Sequence, residues 1–107
     1  MFEVSHYLTA SGEDPFQKFL DNMRDTVARV RILRRIDRAQ HGNFGDHREN
    51  VREGVSELRI DVGKGYRVYY TFFLDRLLIL LLCAGDKSTQ SSDMEKAVQF
   101  RRDYLAR

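Results

Sequence analysis

Charged residues and a tyrosine alternate with apolar residues along positions 57–73. The polar set consists of Glu57, Arg59, Asp61, Arg67, Tyr69 and Thr71. Because alternate side chains of a strand point to one face of a sheet, two paired strands would place this whole set on one face. The planar guanidinium of arginine suits phosphate, so such a face could hold a phosphate group. The alternative is an ordinary surface with cross-strand ion pairs, each contributing well under about 1 kcal/mol.

The turn between the two strands decides which residues face each other. A three-residue turn at 63–65 would place Arg59 opposite Tyr69 and Asp61 opposite Arg67, with apolar residues paired on the other face. A two-residue turn would mix polar and apolar side chains on both faces. We therefore expect the three-residue turn, which leaves Asp61–Arg67 and Glu57–Arg59 as the ion pairs of an ordinary surface.

The following strand is expected to add a third cation to this face. Residues 77–83 form an unbroken apolar run, which is typical of a strand covered on both faces. If residues 74–76 turn the chain, Arg67 would lie beside Cys83. Lys87 would then emerge just past Arg67, so that two arginines and a lysine converge on one patch.

The remaining elements follow from hydrophobic spacing and from helix-capping residues. The pattern predicts four strands, at 2–7, 56–62, 66–73 and 77–83. It also predicts three helices, one that begins at Asp14-Pro15, one at 25–40 and one at 94–105, and a loop at 43–54. Gly42 should end the second helix, and Ser92 or Asp93 should cap the last one. The order β-α-α-β-β-β-α predicts an α+β fold, an antiparallel-dominated sheet packed with helices.

Composition limits the class of protein. A chain of 107 residues is expected to form one domain, 1–107, with 42% apolar and 32% charged residues. Its single cysteine, Cys83, lies in an apolar run, which predicts a residue of the core. A chain with one cysteine can form no internal disulfide, which fits a reducing compartment. The chain begins without a signal-peptide pattern, and no apolar run approaches the about 20 residues of a membrane helix. We expect a cytoplasmic protein without a membrane partner.

Arginines dominate the second predicted helix, although the net charge is only +2. Four of them recur at helical spacing: Arg31, Arg34, Arg35 and Arg38. They could contact RNA together with Lys64 of the hairpin turn, giving salt-sensitive, sequence-independent binding. The alternative is a solvated helix face.

Three ordered motifs resemble the RelE/ParE toxin superfamily, and more narrowly its HigB-like addiction module killer proteins, the phage-derived Gp49-like group. They are GVSELRID at 54–61, GYRVYY at 65–70 and LLLCAGDKSTQ at 80–90, supported by segments 7–16 and 42–46. The resemblance implies the RelE-like fold and a ribosome-dependent mRNA endoribonuclease that inhibits translation. It also implies inhibition by a cognate antitoxin, expected to be a helix-turn-helix protein, and contact with operator DNA only through the antitoxin complex.

The resemblance assigns roles to four residues of this chain. Arg67 matches the arginine that steadies the phosphate in the transition state, and Lys87 matches a later basic position. Glu57 and Arg59 occupy the positions of a catalytic pair that contains lysine in RelE-type members. Such enzymes use no metal or cofactor. The 2′-hydroxyl of the substrate attacks the adjacent phosphate, so the protein must supply a base, an acid and cations for the growing charge.

The proton donor and acceptor are left open by the sequence. Arg59 stays protonated near neutral pH and is a poor base, and Asp93 stands where RelE-type members place a tyrosine. Tyr69 and Lys87 are the first candidates. The other candidates are Glu57, Asp86 and His47. Tyr69 could alternatively stack on an unpaired RNA base.

Two other functions remain possible at this level. A ParE-like protein would inhibit DNA gyrase without cutting RNA, and an inactive relative would bind only its antitoxin or operator DNA. The set Arg59, Arg67 and Lys87 favours the nuclease, because a gyrase inhibitor needs no cluster that stabilises phosphate. No His, Cys or Asp spacing resembles a metal site.

Overall fold

The computed structural model describes residues 1–107, which fold around one five-stranded sheet. The strands are β1 (Glu3–His6), β2 (His47–Arg52), β3 (Val55–Ile60), β4 (Tyr66–Phe73) and β5 (Leu78–Asp86). The helices are α1 (Pro15–Asn22), α2 (Thr26–Gln40) and α3 (Gln90–Leu105), with 3-10 turns at Leu74–Arg76 and Lys87–Thr89. The sheet order is β1-β5-β4-β3-β2, and only β1 and β5 are parallel. The predicted α+β class is confirmed.

The predicted loop at 43–54 is wrong, because His47–Arg52 forms the edge strand β2. All its side chains except that of His47 are exposed. A strand that is exposed on both faces needs no apolar alternation, so the sequence pattern contained no strand signal. Its charged residues also suit a sheet edge, where they discourage pairing with another chain.

The sheet buries both of its faces. Helices α1 and α2 cover one face, where Ile32 packs in a core with Leu58, Val68 and Leu81. Helix α3 covers the other face, where Val98 packs in a second core with Tyr69, Leu80 and Leu82. Burial on both sides explains the nearly continuous apolar sequence of β5, as predicted. No helix is both long enough and apolar enough to span a membrane.

The ends of α1 and α2 are set by the residues that the sequence indicates. The Asp14 carboxylate accepts the backbone N–H of Gln17 at 3.0 Å, and Asp25 accepts that of Ala28 at 3.0 Å. These side chains satisfy donors that lack a partner at a helix start. Gly42 follows α2 with φ of +96°, the left-handed conformation that ends a helix at low cost for glycine.

Helix α3 begins four residues earlier than predicted, and neither Ser92 nor Asp93 caps it. Asp93 lies inside the first turn, and its buried carboxylate accepts the Thr89 hydroxyl at 2.5 Å. A side chain at Gly85 of β5 would overlap this carboxylate. The start of α3 therefore lies directly on the sheet, close to the end of β5.

Candidate functional site

Strands β3 and β4 place Arg59 directly opposite Arg67. The predicted pairs, Arg59 with Tyr69 and Asp61 with Arg67, are wrong by two positions because the connection comprises residues 61–65 rather than three residues. A shift of two positions leaves every strand side chain on its predicted face, since the side-chain period is also two. Glu57, Arg59, Arg67 and Tyr69 therefore do share a face.

The neighbours on β5 are also displaced from the prediction. Arg67 lies opposite Gly85, and Cys83 lies opposite Tyr69, which in turn faces Glu57. The β4–β5 turn takes one residue more than predicted, and an irregularity between Tyr69 and Tyr70 shifts the register once more. Two rows thus cross the sheet, one with Glu57 and Tyr69 and one with the two arginines.

Much of this face is buried beneath α3 instead of lying open to solvent. Glu57 is 1% exposed and Arg67 is 6% exposed. Arg67 Nε lies 3.3 Å from Glu57 Oε2, and neither atom has a hydrogen-bond partner. The ion pairs expected for an ordinary surface, Glu57 with Arg59 and Asp61 with Arg67, are absent. Of the charged residues that β3 and β4 place on this face, only Arg59 is half-exposed.

Tyr69 is completely buried, and its hydroxyl has no hydrogen-bond partner. Burial raises the pKa of Tyr69 far above its usual value, and the carboxylates of Asp93 and Glu57 add to the increase. The interpretation of Tyr69 as a stacking platform for an RNA base is wrong, because α3 leaves none of its ring accessible. In this closed arrangement it cannot exchange a proton with a bound substrate either.

Replacing Tyr69 by phenylalanine is expected to keep or increase stability. The hydroxyl loses its hydrogen bonds to water on burial and gains none in the protein, so its removal should raise the free energy of unfolding by about 1–3 kcal/mol. Urea unfolding of wild type and Tyr69→Phe would measure the difference. A loss of stability would mean that the hydroxyl has a partner, and a loss of RNA cleavage would restore a role for it in proton transfer.

Two lysines lie where the 61–65 connection meets the end of β5, at the rim of the sheet. The backbone N–H of Lys87 donates to the Gly65 carbonyl at 3.2 Å, and its aliphatic side chain covers Gly65, where a Cβ would collide with it. Lys64 Nζ lies 4.0 Å from an Asp86 carboxylate oxygen. Lys87 thus lies next to the start of β4, as predicted, and it is exposed.

Arg35 differs from the other arginines of α2. Its guanidinium donates to the backbone carbonyls of Arg59 at 2.6 Å, Phe44 at 2.9 Å and Asp46 at 2.7 Å. Burial lowers the pKa of this guanidinium. Arg35 is therefore not available as an RNA-binding residue, because it holds β3 and the loop before β2. The exposed arginines of the helix are Arg31, Arg34 and Arg38.

The two remaining candidates for proton transfer are poorly placed. His47 lies opposite Leu58, whose side chain faces α1 and α2, so the imidazole is on the other side of the sheet from Arg67. Hydrogen bonds from the Ser88 side chain and backbone lower the pKa of Asp86, which makes it a weaker base. No three His, Cys, Asp or Glu side chains are arranged to hold a metal ion.

Comparison with known proteins gives one family and one fold. The sequence profile described as "Phage derived protein Gp49-like (DUF891)" matches residues 18–101. An uncharacterized protein of Haemophilus influenzae is 46% identical over 82 residues, which cover 77% of this chain and 81% of that protein. The intact E. coli RelBE toxin–antitoxin complex contains a chain with a TM-score of 0.61 at 10% identity, covering 80% of this chain and 96% of the other. The isolated E. coli RelE toxin gives a TM-score of 0.59 at 10% identity, covering 90% and 98%.

Proposed function

Because this chain belongs to the phage-derived Gp49-like family and has the fold of RelE, we propose that it is the toxin of a toxin–antitoxin pair. Its activity on this proposal is cleavage of mRNA on the ribosome, which inhibits translation. The similar fold in the RelBE complex supports an antitoxin as its partner. Ribosome, mRNA and, through the antitoxin, operator DNA are the other proposed partners.

The observation that carries the nuclease proposal is the pairing of Arg59 directly opposite Arg67. Like charges at facing positions of two strands repel each other and cost stability. Burying Arg67 beside Glu57 adds a desolvation cost that a well-packed apolar pair would avoid. Two arginines at facing strand positions become favourable when an anion binds both, since each guanidinium can donate two hydrogen bonds to phosphate oxygens.

The reaction assigned to this site needs positive charge more than it needs a nucleophile from the protein. The 2′-hydroxyl of the RNA gives its proton to a solvent water and attacks the adjacent phosphate, and negative charge grows on the phosphate oxygens. The bond from phosphorus to the 5′-oxygen then breaks, which leaves a 2′,3′-cyclic phosphate and a 5′-hydroxyl. We assign stabilisation of that charge to the half-exposed Arg59 and to Arg67, which is 6% exposed and reaches the phosphate only when α3 moves aside. Lys87, exposed at the rim, is assigned to protonate the leaving oxygen. Glu57 is assigned to hold Arg67 in place through their ion pair.

Inducing this chain in a bacterial host and mapping the 5′ ends of cellular mRNA would test the proposal. We expect growth arrest and new ends in register with codons, and no such ends on a matched transcript that lacks a ribosome-binding site. Arrest with intact message and DNA breaks would instead indicate gyrase inhibition. Absence of arrest, with the protein present in the cells, would indicate an inactive relative. Co-expression of the cognate antitoxin that this proposal requires should relieve a genuine toxin effect.

A further inference from the structure

A cleft of about 510 Å³ lies where the α1–α2 corner meets the β3–β4 connection. It is on the α1–α2 side of the sheet, whereas Arg67 faces α3. The residues that matter for its chemistry are Phe19, Asn22, Met23, Arg24, Lys64 and Tyr66. Its volume lies within the about 300–1,000 Å³ that small-molecule sites commonly occupy.

One wall of the cleft is aromatic and apolar. Phe19 and Tyr66 meet edge to face, with ring centroids 6.3 Å apart, and Met23 lies beside them. Phe19 and Met23 are only half-buried, so they leave apolar surface open to the cleft. Such a wall suits the face of a nucleobase, because stacking on aromatic side chains tolerates any base.

The exposed polar groups of the cleft include two cations and one amide. The side chains of Asn22 and Arg24 are exposed and have no hydrogen-bond partner, and the side chain of Lys64 is 75% exposed. Two carboxylates also line the cleft, and each has one oxygen hydrogen-bonded and the other without a hydrogen bond. Asp25 caps α2 and Asp86 accepts hydrogen bonds from Ser88. The cations therefore suit a phosphate and the remaining carboxylate oxygens suit the N–H groups of a base, so the cleft favours a ligand that carries both beside an apolar face.

The cleft is next to the proposed cleavage site. Lys64 and Asp86 line it, and the next residue after Asp86 is Lys87, which covers Gly65 at the rim of the arginine face. A single RNA strand that crosses the 63–65 connection would reach both places. We infer that this cleft binds one nucleotide of single-stranded RNA adjacent to the scissile phosphate, with the base against Phe19 and the phosphate at Arg24 and Lys64.

This inference rests on the proposed nuclease function, but binding can be measured without cleavage. The test is titration of the ¹⁵N-labelled protein with AMP and with UMP, followed by NMR, and separately with inorganic phosphate. We expect both nucleotides to shift the amide signals of Asn22, Met23 and Gly63, whereas phosphate at equal concentration shifts them much less. Arg24→Gln should weaken nucleotide binding by about threefold to tenfold, through loss of a charged contact. Arg76→Gln, at the opposite end of β4, should leave it unchanged.

The other outcomes distinguish failure of this inference from failure of the nuclease proposal. Equal shifts with phosphate alone would reduce the cleft to an anion site, and shifts confined to the signals of Arg59 and Lys87 would limit RNA to the arginine face. Protection of Phe19 and Met23 by the antitoxin, without any nucleotide effect, would make the cleft a protein-binding site. If the protein cleaves mRNA in register with codons but nucleotides do not shift the amide signals of the cleft, only this inference is rejected. Nucleotide binding without cleavage would reject only the nuclease.

Discussion

Replacing Arg67 by alanine is expected to lower the free energy of unfolding by about 3–5 kcal/mol, because it leaves a buried carboxylate without its counter-charge. Glu57 is 1% exposed, and its Oε2 has Arg67 Nε as its nearby cation at 3.3 Å. Alanine would also leave space under α3. Urea unfolding, followed by far-ultraviolet circular dichroism, would measure the loss.

A double variant separates the charge effect from the loss of packing. Glu57→Gln with Arg67→Met removes both charges and keeps similar side-chain volumes, so it should recover most of the stability that Arg67→Ala loses. Glu57→Gln alone should cost less stability than Arg67→Ala. It leaves the charge of Arg67 unpaired, and that side chain is 8% exposed, whereas Arg67→Ala leaves the charge of Glu57 unpaired in a side chain that is only 2% exposed. If Arg67→Ala lowered the free energy of unfolding by less than about 1 kcal/mol, the ion pair would contribute no more than a surface pair does.

The sequence could predict which side chains share the candidate site, because face assignment depends only on alternation. Glu57, Arg59, Arg67 and Tyr69 keep the same face whether the connecting turn has three or five residues. The exact partner of each residue depends on how many residues the turns use. Gly63 and Gly65 both adopt positive φ in the longer connection, and glycine spacing alone does not distinguish it from a three-residue turn.

Burial of the site could not be predicted, because it depends on where α3 packs. Residues 90–105 have a weak apolar stripe, with Ala97 and Val98 turned inward but Leu105 exposed. Nothing local in β4 indicates that this helix lies over Tyr69. The cleft was missed for the same reason, since α1 and the 61–65 connection are distant in sequence. The aromatic residues Phe19 and Tyr66 are the available signal, but aromatic residues at these positions fit the wall of a core as well as the wall of a cleft.

Arg59→Gln is expected to reduce mRNA cleavage by about 10²–10³-fold, the usual effect of removing one preorganised donor from a charged transition state. Stability should stay within about 0.5 kcal/mol of wild type. Arg59 makes its structural contacts through its backbone, whose carbonyl accepts from Arg35 and whose N–H donates to Asp46. Its half-exposed side chain has no ion-pair partner.

Charge and position must both be controlled when that loss is measured. Arg76→Gln removes the same charge at the β4–β5 turn, where the guanidinium lies 4.4 Å above the Phe73 ring, and should leave cleavage unchanged. Arg59→Lys keeps the charge but loses the paired donors, so an intermediate rate is expected. Counting codon-registered 5′ ends in a reconstituted translation reaction would give the rates. If Arg59→Gln cleaved like wild type while folded, the facing arginines would be a structural feature, and the phosphate would have to bind elsewhere.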